Sequence, residues 1–135
     1  MARIMAIDYG KKRTGIAVTD PLQIIATGLT TIDSHELIPF LKNYFITELV
    51  ELIIIGLPVN WDETDTHGTA PAKNAIERIK KAFPAMALKT VDERFTSKMA
   101  KSAMLDMGMK KKERQVKGNV DVIAATIILQ DYMNS

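Results

Sequence analysis

Leu52-Ile53-Ile54-Ile55 is the stretch that most narrows the fold. Four bulky apolar residues in a row show no alternation, so neither side of the strand they form can be left to water. Such a run suits a strand buried on both faces, with helices covering it. Gly56-Leu57-Pro58 ends it.

The flanking sequence supplies partners for that strand. Residues 3–9 read as a strand, apolar and β-branched up to Asp8. The segment from Gly10 to Gly15 reads as a turn, because its terminal glycines permit tight backbone geometry. Ile16 to Thr19 resumes as a strand, broken by Asp20-Pro21, and residues 26–32 suit a third. A helix is expected over about 35–48, from the helical spacing of Leu37, Leu41, Tyr44 and Phe45. Asp33 and Ser34 are its candidate caps, Glu36 a capping-box partner, and Pro39 fits only in the first turn.

After the polar stretch 59–69, which contains Trp61 and His67, Thr69 and Pro71 open a second helix. Its buried face is Ala72, Ala75, Ile76 and Ile79, and Pro84 stops it. Met86 to Val91 is the last strand. A helix capped by Thr96 or Ser97 follows, with Met99, Ala103, Met104 and Met107 as core filling. Residues 109–118 read as a basic loop. The final helix runs from Val120 to about residue 133 on Ile123, Ala124, Ile127 and Ile128, with Asp121 in its first turn.

The order β-β-β-α-β-α-β-α-α predicts an α/β fold with a mixed five-stranded sheet. Strands 1–3 are antiparallel, strands 1, 4 and 5 are parallel, and helices lie on both faces. A length of 135 residues makes one domain, 1–135, the expectation. There are no cysteines, which excludes disulfides and thiolate metal sites. The N-terminal apolar run is short and holds Asp8, and nothing approaches a membrane-spanning length. The expectation is a cytoplasmic protein without a membrane partner.

Ligands of open α/β sheets gather at the C-terminal ends of the strands. Asp8 ends the first strand there, Glu93 follows the last, and Asp121 opens the final helix. Two carboxylates about 4 Å apart repel by roughly 4 kcal/mol at an effective dielectric near 20. A proton, a basic side chain or a cation must offset that. Mg²⁺ or Mn²⁺ suits an all-oxygen site, and two such ions activate water in phosphodiester hydrolysis. Taken singly, each acid has a plainer reading: a turn residue for Asp8, a surface ion pair for Glu93, a helix-dipole complement for Asp121. Asp92 rivals Glu93, since one residue of error at the strand end swaps the face.

Net charge is only +2, but its distribution is uneven. Lys11, Lys12 and Arg13 follow the first strand, and seven basic residues lie between Lys98 and Lys117 against Asp106 and Glu113. Clustered positive charge can track a phosphate backbone, and the plainer reading of such a lysine run is a solvated surface loop. The candidate nucleic-acid contacts are Lys12, Arg13, Arg94, Lys110, Lys111, Lys112, Arg114 and Lys117. A Walker loop is excluded, because Ile16-Ala17 follow Gly15 where Lys and Ser/Thr are required.

Four blocks, taken together, resemble the signatures of the YqgF/RuvX family. They are Asp8-Tyr9-Gly10-Lys11-Lys12-Arg13-Thr14-Gly15-Ile16-Ala17, Gly56-Leu57-Pro58, Asp92-Glu93-Arg94-Phe95-Thr96 and Val120-Asp121-Val122-Ile123-Ala124-Ala125. They occur in family order across nearly the whole chain. Trp61-Asp62-Glu63 stands where the family often has a glycine-containing loop. The resemblance implies a ribonuclease-H-like fold, with Asp8, Glu93 and Asp121 as the acidic, metal-binding set. It also implies a nuclease that matures the 5′ end of pre-16S ribosomal RNA, with structured RNA and ribosomal precursor particles as partners. The alternative is a Holliday junction resolvase on branched DNA. A non-catalytic RNA-binding assembly factor is the reading from another class. No oligomer interface is legible.

Overall fold

A computed structural model describes residues 2–57, 69–92 and 117–134. The strands are β1 Arg3–Tyr9, β2 Arg13–Thr19, β3 Ala26–Asp33, β4 Val50–Leu57 and β5 Ala87–Asp92. The helices are α1 Leu37–Thr47, α2 Thr69–Ala82 and α3 Lys117–Met133, with a 3-10 turn at Ser34–Glu36. One sheet runs in the order β3-β2-β1-β4-β5. β1 pairs antiparallel with β2, and β2 with β3; β1 pairs parallel with β4, and β4 with β5. The expected mixed sheet is the observed one.

Alternation along each strand divides the core in two. Met5 and Ile7 of β1, Ile16 and Val18 of β2, and Ile53 and Ile55 of β4 meet Leu37 and Leu41 of α1 and Ala75, Ile76 and Ile79 of α2. On the other face Ile4, Ala6, Ala17 and Ile54 meet Ala125, Ile128 and Leu129 of α3. Burial of Ile53, Ile54 and Ile55 is complete, as a strand covered on both sides requires. The α3 face is floored by small residues, which lets that helix sit close to the sheet.

Several element ends differ from expectation. β2 begins at Arg13, because the Gly10 amide donates to the Arg13 carbonyl at 2.9 Å and closes the turn over Lys11 and Lys12 alone. Thr14, read as a turn residue, is thus a fully buried strand residue. α1 starts only after the 3-10 turn, and the Asp33 side chain makes no capping bond, so the capping box does not form. Pro39 is the third residue of α1, where no intrahelical acceptor is needed.

α3 begins at Lys117 rather than Val120, so Lys117 and Gly118 are helical rather than loop. Its fully buried stripe is Ala124, Ala125, Ile128 and Leu129, with Ile123 and Ile127 only partly covered. A helix apolar nearly all round carries several candidate stripes, and the sheet beneath selects one. The expected helix after Thr96, with its methionines, lies outside the described residues, as do Trp61 and His67. Among the described residues no helix is long and apolar enough to cross a membrane.

At the end of the sheet remote from Asp8, the Asp20 carboxylate closes the β2–β3 turn. It accepts from the amides of Ile24 and Ile25 at 2.7 and 2.8 Å. The Ile25 bond leads in holding this carboxyl below the usual carboxylate range.

Candidate active site

Asp8 is the penultimate residue of β1 and is half-buried. Ile4 and Ala6 share its parity and face α3, so the Asp8 side chain continues that line. One row across the sheet on this face reads Thr31, Gly15, Asp8, Gly56, Val91. Glycines therefore flank Asp8 on both neighbouring strands. The carboxylate stands in a slot with no side chain on either side, about 4.8 Å from each adjacent strand.

Gly15 also decides where α3 lies. A Cβ built on it would fall 2.0 Å from the Asp121 carbonyl oxygen and 2.8 Å from the Val122 amide nitrogen. Only a residue without Cβ admits that approach. Asp121 thus rests on the strand position directly beside Asp8, and directly paired positions of antiparallel strands have Cβ atoms about 5 Å apart. Two acids 113 positions apart in the chain are both placed against one glycine, Asp8 paired with it across the strands and the Asp121 backbone resting on it. Asp121 is the fifth residue of α3, not a first-turn residue. Since the dipole effect fades beyond the first turn, the helix-dipole reading of Asp121 falls away.

Arg13 projects from the same face of β2. Its Nε lies 3.5 Å from Asp121 Oδ2, with the two side chains 37% and 25% exposed. The Nε atom itself is buried and makes no hydrogen bond, so the pair is an ion pair without a bonded geometry. Asp8 and Asp121 each have further interactions besides.

The hairpin bearing Lys12 and Arg13 is pinned from below. Ser34 Oγ donates to the Gly10 carbonyl and pairs with Thr14 Oγ1 at 2.8 Å, while the Ser34 amide donates to the Lys12 carbonyl at 2.9 Å. Both hydroxyl residues are buried. Ser34→Ala leaves the Gly10 carbonyl and Thr14 short of partners, and is expected to lower unfolding stability by about 1–3 kcal/mol in urea titration. On the other face, Arg78 donates to the Tyr9 hydroxyl at 2.8 Å and ties the end of β1 to α2.

The structure brings together Asp8, Asp121 and Arg13, with exposed Lys12 in the adjoining turn. Glu93, Arg94, Lys110, Lys111, Lys112 and Arg114 lie outside the described residues, and only the backbone of Lys117 is described. β5 lies two strands from β1, with β4 between. Sequence reasoning treated Gly15 as a turn former and missed its contact with α3; the signal was the run of small residues Gly15 and Ala17 on one strand face. It also missed an exposed group, Asp33, His35 and Glu36, whose ligand-type atoms lie within 4.8 Å of one another.

The sequence matches the RuvX family, described as Holliday junction resolvase, over residues 2–135. The chain belongs to the RuvX family. A relative from Flavobacterium johnsoniae, named "Putative pre-16S rRNA nuclease", is 53% identical over 135 residues, spanning 100% of this chain and 98% of the relative. A Bacteroides fragilis relative of the same name is 52% identical over 135 residues, again covering 100% of this chain and 98% of the relative. These are nucleases by name, and the RuvX chain described here is a nuclease by class. Among solved structures, T. thermophilus RuvC in complex with Holliday junction substrate superposes with a TM-score of 0.57 at 14% identity, covering 100% of this chain and 98% of that one. That likeness supports the ribonuclease-H-like fold of this RuvX chain.

Proposed function

We propose that this RuvX chain is a metal-dependent endonuclease that trims the 5′ end of pre-16S rRNA. The observation that carries the mechanism is the Asp8 slot: a carboxylate between two glycines, with Asp121 held beside it over Gly15. Hard carboxylate oxygens on a strand end suit Mg²⁺ or Mn²⁺. The Arg13 guanidinium, 3.5 Å from the Asp121 carboxylate, is consistent with a place where positive charge offsets the acids. Asp8, Asp121 and Glu93 are the residues that would hold the metal, two ions in our reading.

The bound metal supplies an activated water and stabilises the leaving oxygen. The protein's part is placement. Asp8 enters from a central strand fixed on both sides, and Asp121 from a helix backed against that sheet, so neither carboxylate shifts as charge develops. Lys12 and Arg13, on the pinned hairpin, hold phosphates near the cut. Arg94, Lys110, Lys111, Lys112, Arg114 and Lys117 grip the flanking strand in this reading, which makes affinity steeply salt-dependent. Precursor ribosomal particles in the cytoplasm follow as the setting.

The relatives' name favours RNA, and the family's description favours branched DNA as the second reading. One preparation should be assayed with 16S precursor RNA and with a four-way DNA junction, in Mg²⁺ and in Mn²⁺. Cleavage at the 5′ end of the RNA, with the junction left intact, is the expected result. Symmetric cutting of the junction with the RNA untouched supports the resolvase instead. Salt-sensitive RNA binding with no cleavage in either metal supports a non-catalytic assembly factor.

A further inference from the structure

We propose that Arg13 is an exchangeable counter-cation: its guanidinium neutralises Asp121 until a divalent metal displaces it, and the released side chain then holds a substrate phosphate. The inference rests on the metal-site reading above and adds to it an order of events.

The contact has the marks of a tether rather than a lock. A structural arginine–carboxylate pair forms short charge-assisted bonds of about 2.7–2.9 Å, often two in parallel. Here Nε stands 3.5 Å from Asp121 Oδ2 and, though buried, makes no hydrogen bond. A desolvated donor left unbonded is unfavourable, so Nε itself is held toward Asp121 by charge rather than by a hydrogen bond.

The surroundings determine which partner moves. The Asp121 backbone is wedged on Gly15, where its carbonyl oxygen already occupies the space of a Cβ. The Arg13 backbone is likewise fixed, through the Gly10 turn and Ser34. The Arg13 side chain, however, is more than a third exposed and has four rotatable bonds leading outward. A cation arriving between the acids therefore displaces Arg13 and leaves Asp121 where it is. The guanidinium swings to the solvent side of the same site, where the substrate backbone must pass. Its fork matches phosphate oxygens.

The test is Mn²⁺ titration by calorimetry without nucleic acid, on wild type, Arg13→Gln, Arg13→Lys and Asp8→Asn. Arg13→Gln is expected to bind Mn²⁺ about two- to fivefold tighter than wild type, the scale of a partly exposed ion pair. Arg13→Lys, which keeps the charge and most of the stem, should stay near wild type. RNA affinity supplies the second readout: Arg13→Gln should match wild type in EDTA and bind more weakly in non-cleaving Ca²⁺. Equal or weaker Mn²⁺ binding by Arg13→Gln, with Asp8→Asn impaired, overturns the exchange and leaves the metal site standing. Mn²⁺ binding that is the same in wild type and Asp8→Asn overturns the metal site, and the exchange with it.

Discussion

Asp8→Asn is expected to remove RNA cleavage by about a thousandfold or more in kcat/KM, the scale seen when one member of a catalytic unit is lost. The substitution keeps shape and deletes one negative charge. It does so in a slot whose paired positions on both adjacent strands are the glycines Gly15 and Gly56. Melting should therefore occur no lower than in wild type, because a carboxylate beside Asp121 is removed rather than a core contact. Cleavage rate and melting temperature measured together separate chemistry from folding. An Asp8→Asn protein that keeps more than a tenth of wild-type activity rules out the acidic site as the catalytic centre. Asp121→Asn is a less clean probe, since it also breaks the Arg13 ion pair.

Gly15→Ala should produce the largest loss of stability. The new methyl would stand 2.0 Å from the Asp121 carbonyl oxygen and 2.3 Å from its carbonyl carbon. These are backbone atoms with no rotamer to change, so either the start of α3 lifts or β2 buckles. Overpacking of this kind costs about 3 kcal/mol, or roughly 10 °C in melting temperature for a domain of this size. Activity should fall further than stability explains, because a displacement of about 1 Å at a reacting group costs on the order of a hundredfold. Gly28→Ala is the matched control. Its methyl would meet Val122 Cγ1 at 2.5 Å, a side-chain atom that can turn away, so a smaller loss is expected in both readouts. Equal effects at the two positions would show that the backbone contact at Gly15 has no special weight.

The two positions also show why much of the site escaped sequence reasoning. Asp8 was legible because an acid at the end of an apolar strand is locally conspicuous, and local patterns survive without knowledge of the fold. Asp121 was legible as a candidate but was assigned to the wrong turn of its helix. Helix starts depend on where unsatisfied amides find partners, and Lys117-Gly118 carry no capping signal. Ser34 was read as a helix cap; it is instead the buried bolt of the β1–β2 turn, a role set by β3 ending beside that turn. Gly15 read as a turn former for the same reason: a glycine's conformational freedom is a local property, while the helix pressing on it is not.

What the sequence determined by itself was the layered architecture and the list of candidate acids. The uninterrupted Leu52–Ile55 run demands cover on both faces, and the strand periodicities and helix breakers follow from neighbouring residues alone. The family blocks then tied the acids to a nuclease. What only the tertiary structure decided was which groups touch. Strand register set the glycine-lined row around Asp8, and the close approach of α3 put Asp121 and Arg13 beside it. The reason is one of range: local propensity acts over a few residues, whereas these contacts join residues 8, 13, 15, 56 and 121, and are specified only when the whole sheet and its helices pack together.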